Sequence, residues 1–361
     1  MPETVSTEET RARLLGWAER LDRHEGFAEV VAALLAGHAA TLDGVWGSSC
    51  ALAAAALALR CPGTLLVVCP WNDQPDDFLD DWALFSAEAG DLFPARELLA
   101  GDLSVYDAAA GERLAVLRRF GSGDPPRLLA ASIHSLLQPV VSPHLLAVHT
   151  RRVAVGQSLD ADEFCRYLAQ RGFQSTTAVQ LPGEYTRRGG IIDLFPTDGG
   201  DPLRIELFGD ESESLRPFDV NTQRSQGALS SVSLTVIEPQ SSLSGALTDY
   251  LPPSSWVLLI EPSEIEAQAR QMIERLEEPK SCYDLPEVMS RLLRFPSITA
   301  SGVAAASMEA TCRLKVESVE RFGGDLQRVR AELDEAGAGD EVFVVAPTEA
   351  EAARLAELFG Q

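Results

Sequence analysis

The sequence predicts an α/β protein: a largely parallel sheet covered by helices and interrupted by an inserted antiparallel α+β domain. Three observations carry this reading. Short apolar runs bounded by turn residues alternate with segments whose apolar residues recur at helical spacing, the pattern of parallel strands joined by crossover helices. From about residue 147 the texture changes to short alternating runs separated by Gly, Asp and Pro clusters, which is a hairpin signature. After about residue 240 the helix and strand pattern resumes.

Taken in order, residues 7–40 read as helical, with Leu14, Leu15, Trp17, Ala18 and Leu21, then Val30, Val31, Leu34 and Leu35, at helical spacing. An Ala/Leu-rich helix follows, running to about Arg60, with Ser48 and Ser49 as N-cap candidates. "TLLVVCP" (64–70) reads as a buried strand, "DDFLDDWALFSA" (76–87) and "GERLAVLRRF" (111–120) as amphipathic helices, and "RLLAAS" (127–132) as another strand. "RRVAVGQ" is a strand, and "DADEFCRYLAQRGF" is a helix with Asp160 at its cap. "SSWVLLIEPSE" is a strand candidate, "EIEAQARQMIERLEE" an amphipathic helix, and "DEVFVVAPTEAEAARLAELFGQ" a strand plus helix. A lone strand and helix cannot bury both strand faces, so the last segment is expected to need neighbours from an adjacent sheet or a further domain. The domain boundaries that follow are 1–146 for the first part of the α/β domain, 147–239 for the insertion, 240–335 for the second part, and 336–361 for the closing strand and helix.

Composition narrows the function. A chain of 361 residues with 45% apolar content can fill a sizeable core. The longest apolar run, Cys50 to Leu59, is far short of a bilayer span, and the first residues lack the basic start and apolar segment of a signal peptide. A cytoplasmic chain without a membrane partner is expected. The six cysteines have no CxxC pair and no histidine at ligand spacing, which argues for buried free thiols and against structural zinc or a disulfide framework. A formal charge of −24 repels nucleic acid and suits a basic protein partner or local basic patches. The carboxylates of "DDFLDD" have the spacing of a solvated helix face, and His134 and His144 have no partners that point to a triad or a metal site. The sequence thus offers no catalytic residue and no metal ligand set.

"LDGVWGSSCALAAAALALR" (42–60) has the outline of a phosphate-binding loop. Such a loop works because backbone N–H groups and a helix N-terminus cradle phosphate, a lysine neutralises charge, and the next hydroxyl takes magnesium. Laid on G-x-x-G-x-G-K-T, the chain keeps Gly44 and Gly47 but has Ser49 for the third glycine, Cys50 for the lysine and Ala51 for the magnesium hydroxyl. Losing a unit charge about 4 Å from a phosphate removes ~4 kcal/mol at an effective dielectric near ~20, or about a thousandfold in affinity. Two glycines before a helix are equally what an ordinary turn provides.

Residues 183–224 are more specific. They contain Arg188-Gly189, an apolar run from Ile191 closing in Asp193-Leu194-Phe195-Pro196, the strand Arg204-Ile205-Glu206-Leu207-Phe208, an acidic segment from Asp210 to Arg216, and Phe218-Asp219-Val220-Asn221-Thr222-Gln223-Arg224. This stretch resembles the domain shared by the excision-repair protein UvrB and the transcription-repair coupling factors, and "FDVNTQR" is closer to the latter. Arg187 is an extra basic residue, and Leu207 replaces an aromatic. At lower specificity the resemblance extends over most of residues 40–275. It implies a degenerate P-loop, helicase-like parallel sheet holding a UvrB domain 2-like insertion. UvrB has a D-E-S-H strand end where this chain has Glu261 and Pro262, so the carboxylate that activates water is replaced by proline. UvrB's aromatic damage-probing hairpin falls on "LFPARELLAGDLSVYDAAAG", which offers only Phe93 and Tyr106.

The resemblance implies that the insertion docks UvrA and carries binding roles onto Arg188, Arg204, Phe208 and Glu206. Period-2 geometry puts Arg204, Glu206 and Phe208 on one strand face, with Ile205 and Leu207 on the other. The residues alone equally allow a core Phe208, a solvated Arg204–Glu206 pair and a turn cation at Arg188. For the family's complete protein the resemblance implies an ATP- and Mg-dependent DNA translocase acting on stalled RNA polymerase. No intact G-K-[ST] occurs here, so this segment is expected to need no cofactor and to recruit UvrA without catalysis. The alternatives are a divergent UvrB-like, DNA-dependent ATPase and a structural spacer.

Overall fold

The structure is a computed structural model that describes residues 7–96, 108–237, 243–276, 282–303, 310–316, 343, 346 and 348–359. It divides into two units, residues 15–314 and residues 1–14 with 315–361. In the second unit, a helix covers Glu349–Phe359. The strand read at 340–346 lies, apart from residues 343 and 346, outside the described residues, as does Tyr106.

A seven-stranded, wholly parallel sheet organises residues 15–314. Its strands, in chain order, are β1 (Ala40–Asp43), β2 (Leu65–Cys69), β3 (Asp91–Phe93), β4 (Leu128–Ser132), β12 (Trp256–Ile260), β13 (Ser297–Ser301) and β14 (Ala310–Arg313), where β5 to β11 belong to the insertion. In space the order is β14-β1-β13-β12-β2-β4-β3. Because both faces are covered, the central strands are apolar throughout, and alternate residues feed two cores. Leu65, Val67 and Cys69 face α2 (Glu25–Leu35), α3 (Ser49–Ala58) and α4 (Gln74–Phe85). Leu66 and Val68 face α5 (Ala108–Ser122), α6 (Ile133–Leu137), α7 (Pro143–His149), α9 (Pro262–Arg275) and α10 (Leu285–Leu292).

Two sequence expectations need correction. The helical reading of 7–40 covers α1 (Thr7–Asp22) and α2 but ends on β1, a four-residue strand that is buried along its length. Its pairing with β13 and β14, more than 250 residues away, selects the strand over local preference. The second correction concerns the cap of α3. Ser48 has helical backbone angles and makes no side-chain cap bond. The Ser49 hydroxyl instead donates to the Trp46 carbonyl (2.6 Å) and accepts from the Trp46 N–H (2.9 Å), closing the loop on itself.

The insertion begins at β5 (Thr150–Ala154) and returns at β11 (Ser231–Thr235), two strands that pair antiparallel as a ribbon. Between them lie α8 (Ala161–Gln170), capped by Asp160 as read from the sequence, and a five-stranded sheet. That sheet comprises β6 (Gln174–Ser175), β7 (Glu184–Arg188), β8 (Ile191–Leu194), β9 (Leu203–Phe208) and β10 (Glu211–Pro217) in the order β10-β9-β8-β7-β6. It is antiparallel except for the two-residue β6, which joins β7 parallel. Phe164 and Leu168 of α8 pack with Ile192, Leu194, Leu203, Ile205 and Leu215 on the inner sheet face. The buried carboxylate of Asp198 binds Arg118 of α5 and accepts from the Thr235 N–H of β11 (2.8 Å), so one side chain ties the insertion to the parallel-sheet body and to its own return strand.

Of the cysteines, Cys50, Cys61, Cys69 and Cys312 are buried and Cys165 and Cys282 half-buried, all as free thiols. No helix among the described residues is long and apolar enough to cross a membrane.

Gly44 turns β1 into the loop with φ of +71°, and a Cβ there would fall inside the van der Waals shell of the Leu314 carbonyl oxygen. Gly44→Ala is therefore expected to lower unfolding stability by at least ~2 kcal/mol, which urea denaturation of the two proteins would read.

Candidate functional site

Two places match the sequence-derived candidates: the loop at 44–51 and the outer face of the β6–β10 sheet. The loop joins β1 to α3 at the carboxyl edge of the parallel sheet, where a P-loop belongs. Four of its amides are engaged within the protein. The Val45 N–H donates to Ser301 O (3.1 Å), Cys50 to Gly47 O (3.0 Å) and Ala51 to Ser48 O (3.1 Å), while Trp46 uses Ser49. Cys50 and Ala51 point into the core, at 3% and 0% exposure. The Cys50 thiol is pushed up to about 12 by burial, and the carboxylates of Glu261 and Asp81 add to the rise. A phosphate-binding loop needs a positive charge at this position; here a buried thiol has the carboxylates of Glu261 and Asp81 as its charged neighbours.

Glu261 adopts a left-handed conformation (φ 48°) directly before Pro262, the first residue of α9. Its carboxylate accepts from the Gly302 N–H (2.7 Å) and the Ser301 hydroxyl (3.1 Å), pinning the end of β13. Glu261 thus acts as a strand-end brace, and Pro262 serves the helix start, where a missing N–H costs nothing. Among the described residues no group of three or more His, Cys, Asp and Glu side chains could hold a metal ion.

The outer face of the antiparallel sheet collects all four remaining candidates. Register aligns Arg188 of β7 with Ile191 of β8, Glu206 of β9 and Ser214 of β10 in one cross-strand row. The next row is Thr186, Asp193, Arg204 and Arg216. Phe208 continues the face beyond Glu206, two residues along the same strand. Phe208 is 81% exposed, which removes the core alternative for it, and Ile191 beside it is 39% exposed. Leu207, where the family pattern has an aromatic, packs against the inner core.

The other three residues are less free than the sequence reading allowed. Arg204 is held by a bidentate pair with the nearly buried Asp193, Nε to Oδ1 at 2.7 Å and Nη2 to Oδ2 at 2.9 Å. Its remaining donor reaches the Gln223 carbonyl and the Ser225 hydroxyl, each at 3.3 Å, and the guanidinium lies 5.2 Å from the Phe218 ring centroid. The solvated Arg204–Glu206 pair that the residues alone allowed gives way to Arg204–Asp193, whose members stand directly opposite on β9 and β8. Glu206 instead accepts from the Ser214 hydroxyl (2.6 Å), and Arg188 donates to the Thr177 carbonyl.

This geometry accounts for the family motif. Asp219 accepts from the Asn221 N–H (3.1 Å), the Thr222 N–H (2.7 Å) and the Thr222 hydroxyl (2.9 Å), so the Asp and Thr of "FDVNTQR" close a turn. That turn presents the Gln223 carbonyl to Arg204 and slides Phe218 beneath it. Gly190 is required by close approach, since a Cβ would meet Leu207 O at 2.6 Å while Leu207 N–H donates to Gly190 O. Ile191 and Arg216, both on the exposed face, escaped the sequence reading. Their signal was hairpin register, which the Gly189-Gly190 turn could have supplied for Ile191.

Phe208→Ala is expected to change unfolding stability by less than about 0.5 kcal/mol, whereas Arg204→Ala, which leaves Asp193 without its partner, costs about 2–4 kcal/mol. Thermal and urea unfolding of the two variants would separate a surface aromatic from a structural cation.

Residues 152–240, which span this sheet, match the family described as the UvrB interaction domain. The chain is 35% identical over 218 residues to the transcription-repair-coupling factor of Myxococcus xanthus, covering 58% of this chain and 18% of that protein. It is 29% identical over 215 residues to the factor of Bacillus subtilis strain 168, covering 58% and 17%. It is 33% identical over 144 residues to the factor of Staphylococcus aureus strain bovine RF122 / ET3-1, covering 40% and 12%. The chain thus spans less than a fifth of the length of these relatives. Sheet, turns and motif coincide with the matched residues: the chain is similar to a part of the transcription-repair-coupling factors, and residues 152–240 within it match the UvrB interaction domain.

Proposed function

We propose that this chain is the non-catalytic, UvrA-recruiting part of a factor that couples transcription to nucleotide excision repair. In this reading the whole protein acts on RNA polymerase stalled at a DNA lesion through an ATP-driven translocase located outside this segment. The observation that supports it best is Phe208: a large aromatic, 81% exposed, on a face otherwise built of Arg188, Ile191, Glu206 and Arg216. An exposed aromatic with arginines on the same sheet face is the kind of residue set that dominates protein–protein interfaces. Burying the ring under a partner yields ~2 kcal/mol or more from apolar area alone.

The roles divide by geometry. Phe208 and Arg188 touch the partner, the aromatic as anchor and the arginine as its charged neighbour. Arg204 is a positioning residue: clamped between Asp193 and Phe218, it fixes β9 against β8 and holds the Asp219 turn at the edge of the face. Glu206, bonded to Ser214, keeps β9 and β10 aligned and offers its second carboxylate oxygen to the partner.

Calorimetric titration of the chain with UvrA from the same source tests the reading. Binding is expected, weakened at least ~30-fold by Phe208→Ala and about tenfold by Arg188→Ala. Asp193→Asn, which keeps the shape but loosens Arg204, is expected to weaken binding less than Phe208→Ala. Wild-type affinity in Phe208→Ala would overturn the assignment of this face.

Mg-ATP is expected to leave the thermal unfolding midpoint unchanged, because Cys50 and Ala51 stand where the lysine and the magnesium hydroxyl belong and both are buried. ATP turnover abolished by Cys50 or Glu261 substitution would instead support a divergent UvrB-like ATPase.

A further inference from the structure

The turn of "FDVNTQR" holds one residue in a conformation that its side chain does not favour. Gln223 has φ of +57°, in the left-handed region where glycine and asparagine are common and a long side chain costs conformational energy. Both of its backbone groups are bonded: the N–H donates to Asp219 O (2.7 Å), and the carbonyl accepts from Arg204 (3.3 Å). A glycine would supply both bonds without the strain. The reason for a glutamine must therefore lie in its side chain.

The side-chain amide supplies that reason. Nε2 donates to the Val220 carbonyl (2.8 Å) and to the Val179 carbonyl (3.1 Å), the latter 44 residues away along the chain. Both neighbours are acceptors, so the nitrogen of the amide faces them and its oxygen does not. Val179 is fully buried and lies between β6 and β7, in segment 176–181. Each end of that segment is fixed. The Thr176 N–H donates to Tyr185 O (2.9 Å), and the Glu184 carboxylate accepts from the Gln180 N–H (2.7 Å) and the Leu181 N–H (3.0 Å). Between the fixed ends, the Thr177 carbonyl accepts from the Arg188 guanidinium and the Val179 carbonyl from Gln223. One short segment thus meets Arg188 at one carbonyl and, two residues on, the turn that holds Arg204.

We propose that Gln223 is a positioning residue of the partner-binding face: its amide clamps segment 176–181 to the Asp219 turn, and through Thr177 the clamp fixes where Arg188 points. This role rests on the reading of the face as a UvrA site. Arg188 is exposed, and an arginine without a fixed acceptor samples many rotamers, whose ordering on binding costs affinity. The clamp removes that cost before the partner arrives, and Gln223 does so without touching the partner. The two arginines of the face are then held as a unit, Arg204 by the Gln223 carbonyl and Arg188 by the segment that the Gln223 amide holds.

Gln223→Gly tests the clamp, because it keeps the left-handed turn and its two backbone bonds and removes the amide. Hydrogen exchange read by mass spectrometry is expected to run at least ~5-fold faster in the peptide covering 176–182 of this variant, with β9 and β10 unchanged. Calorimetric titration with UvrA is expected to show about fivefold weaker binding. That loss is expected to vanish when Arg188→Ala is already present and to persist in full beside Phe208→Ala, because the clamp acts through Arg188. Gln223→Glu, which sets an acceptor of the same length against two carbonyls, is expected to lose at least as much. Wild-type affinity in Gln223→Gly would overturn the proposal, and so would equal losses in the Arg188→Ala and Phe208→Ala backgrounds, which would reduce Gln223 to general support of the fold. A wild-type chain that does not bind UvrA would remove the assignment of the face, and the exchange measurement then decides the clamp by itself. Faster exchange in 176–182 keeps Gln223 as the residue that holds the Arg188 acceptor; unchanged exchange overturns it.

Discussion

The pairing of β12 between β2 and β13 is the constraint on which the rest of the molecule depends. It joins Trp256–Leu259 to Leu65–Val68, strands separated by nearly 190 residues, in the centre of one parallel sheet. Everything between them except β3, β4 and their flanking helices must therefore leave the body and return. The chain does so through β5 and β11, which pair with each other and make a narrow two-stranded neck. Asp198 fixes the neck to α5, so the antiparallel sheet is held in one orientation by a buried carboxylate as well as by the chain itself. Loop closure over such a separation is unfavourable, and the unbroken apolar composition of β2 and β12 offsets it by burying both faces.

Two kinds of edge result. The antiparallel sheet has one face buried and one open, and the open face keeps its shape through polar pairs: Arg204 on Asp193, Glu206 on Ser214, Arg188 on Thr177. Those contacts hold the charged residues in place and leave Phe208 as the large side chain unsupported by the fold. The parallel sheet ends in a crowded loop edge whose former chemistry has been replaced. Ser49 closes the loop on Trp46, and Glu261 braces β13. A phosphate loop and this loop share an outline because both turn a strand into a helix through glycine; they differ at the lysine and hydroxyl positions, filled here by the buried Cys50 and Ala51.

The sequence by itself determined the fold class, the place of the insertion, most helices, the cap at Asp160 and the face shared by Arg204, Glu206 and Phe208. These follow from local rules: apolar periodicity, turn chemistry and the alternation of side chains along a strand. The missing lysine and hydroxyl at Cys50 and Ala51 were legible for the same reason, since they are single positions in a fixed spacing.

Only the tertiary structure decided what depends on residues brought together from afar. β1, β3 and β14 are short and β13 carries polar residues along its length, and their strand identity comes from distant partners rather than from their own residues. Arg204 was placed on the right face, but its partner was not, because Asp193 becomes its neighbour only through the β8–β9 register. Ile191 and Arg216 joined the face by that same register. Gln223 reaches Val179, 44 residues away along the chain, because the folded sheet sets segment 176–181 beside the Asp219 turn. Register and strand order are properties of pairs of segments, and a single sequence read along its length contains each segment but not the pairing.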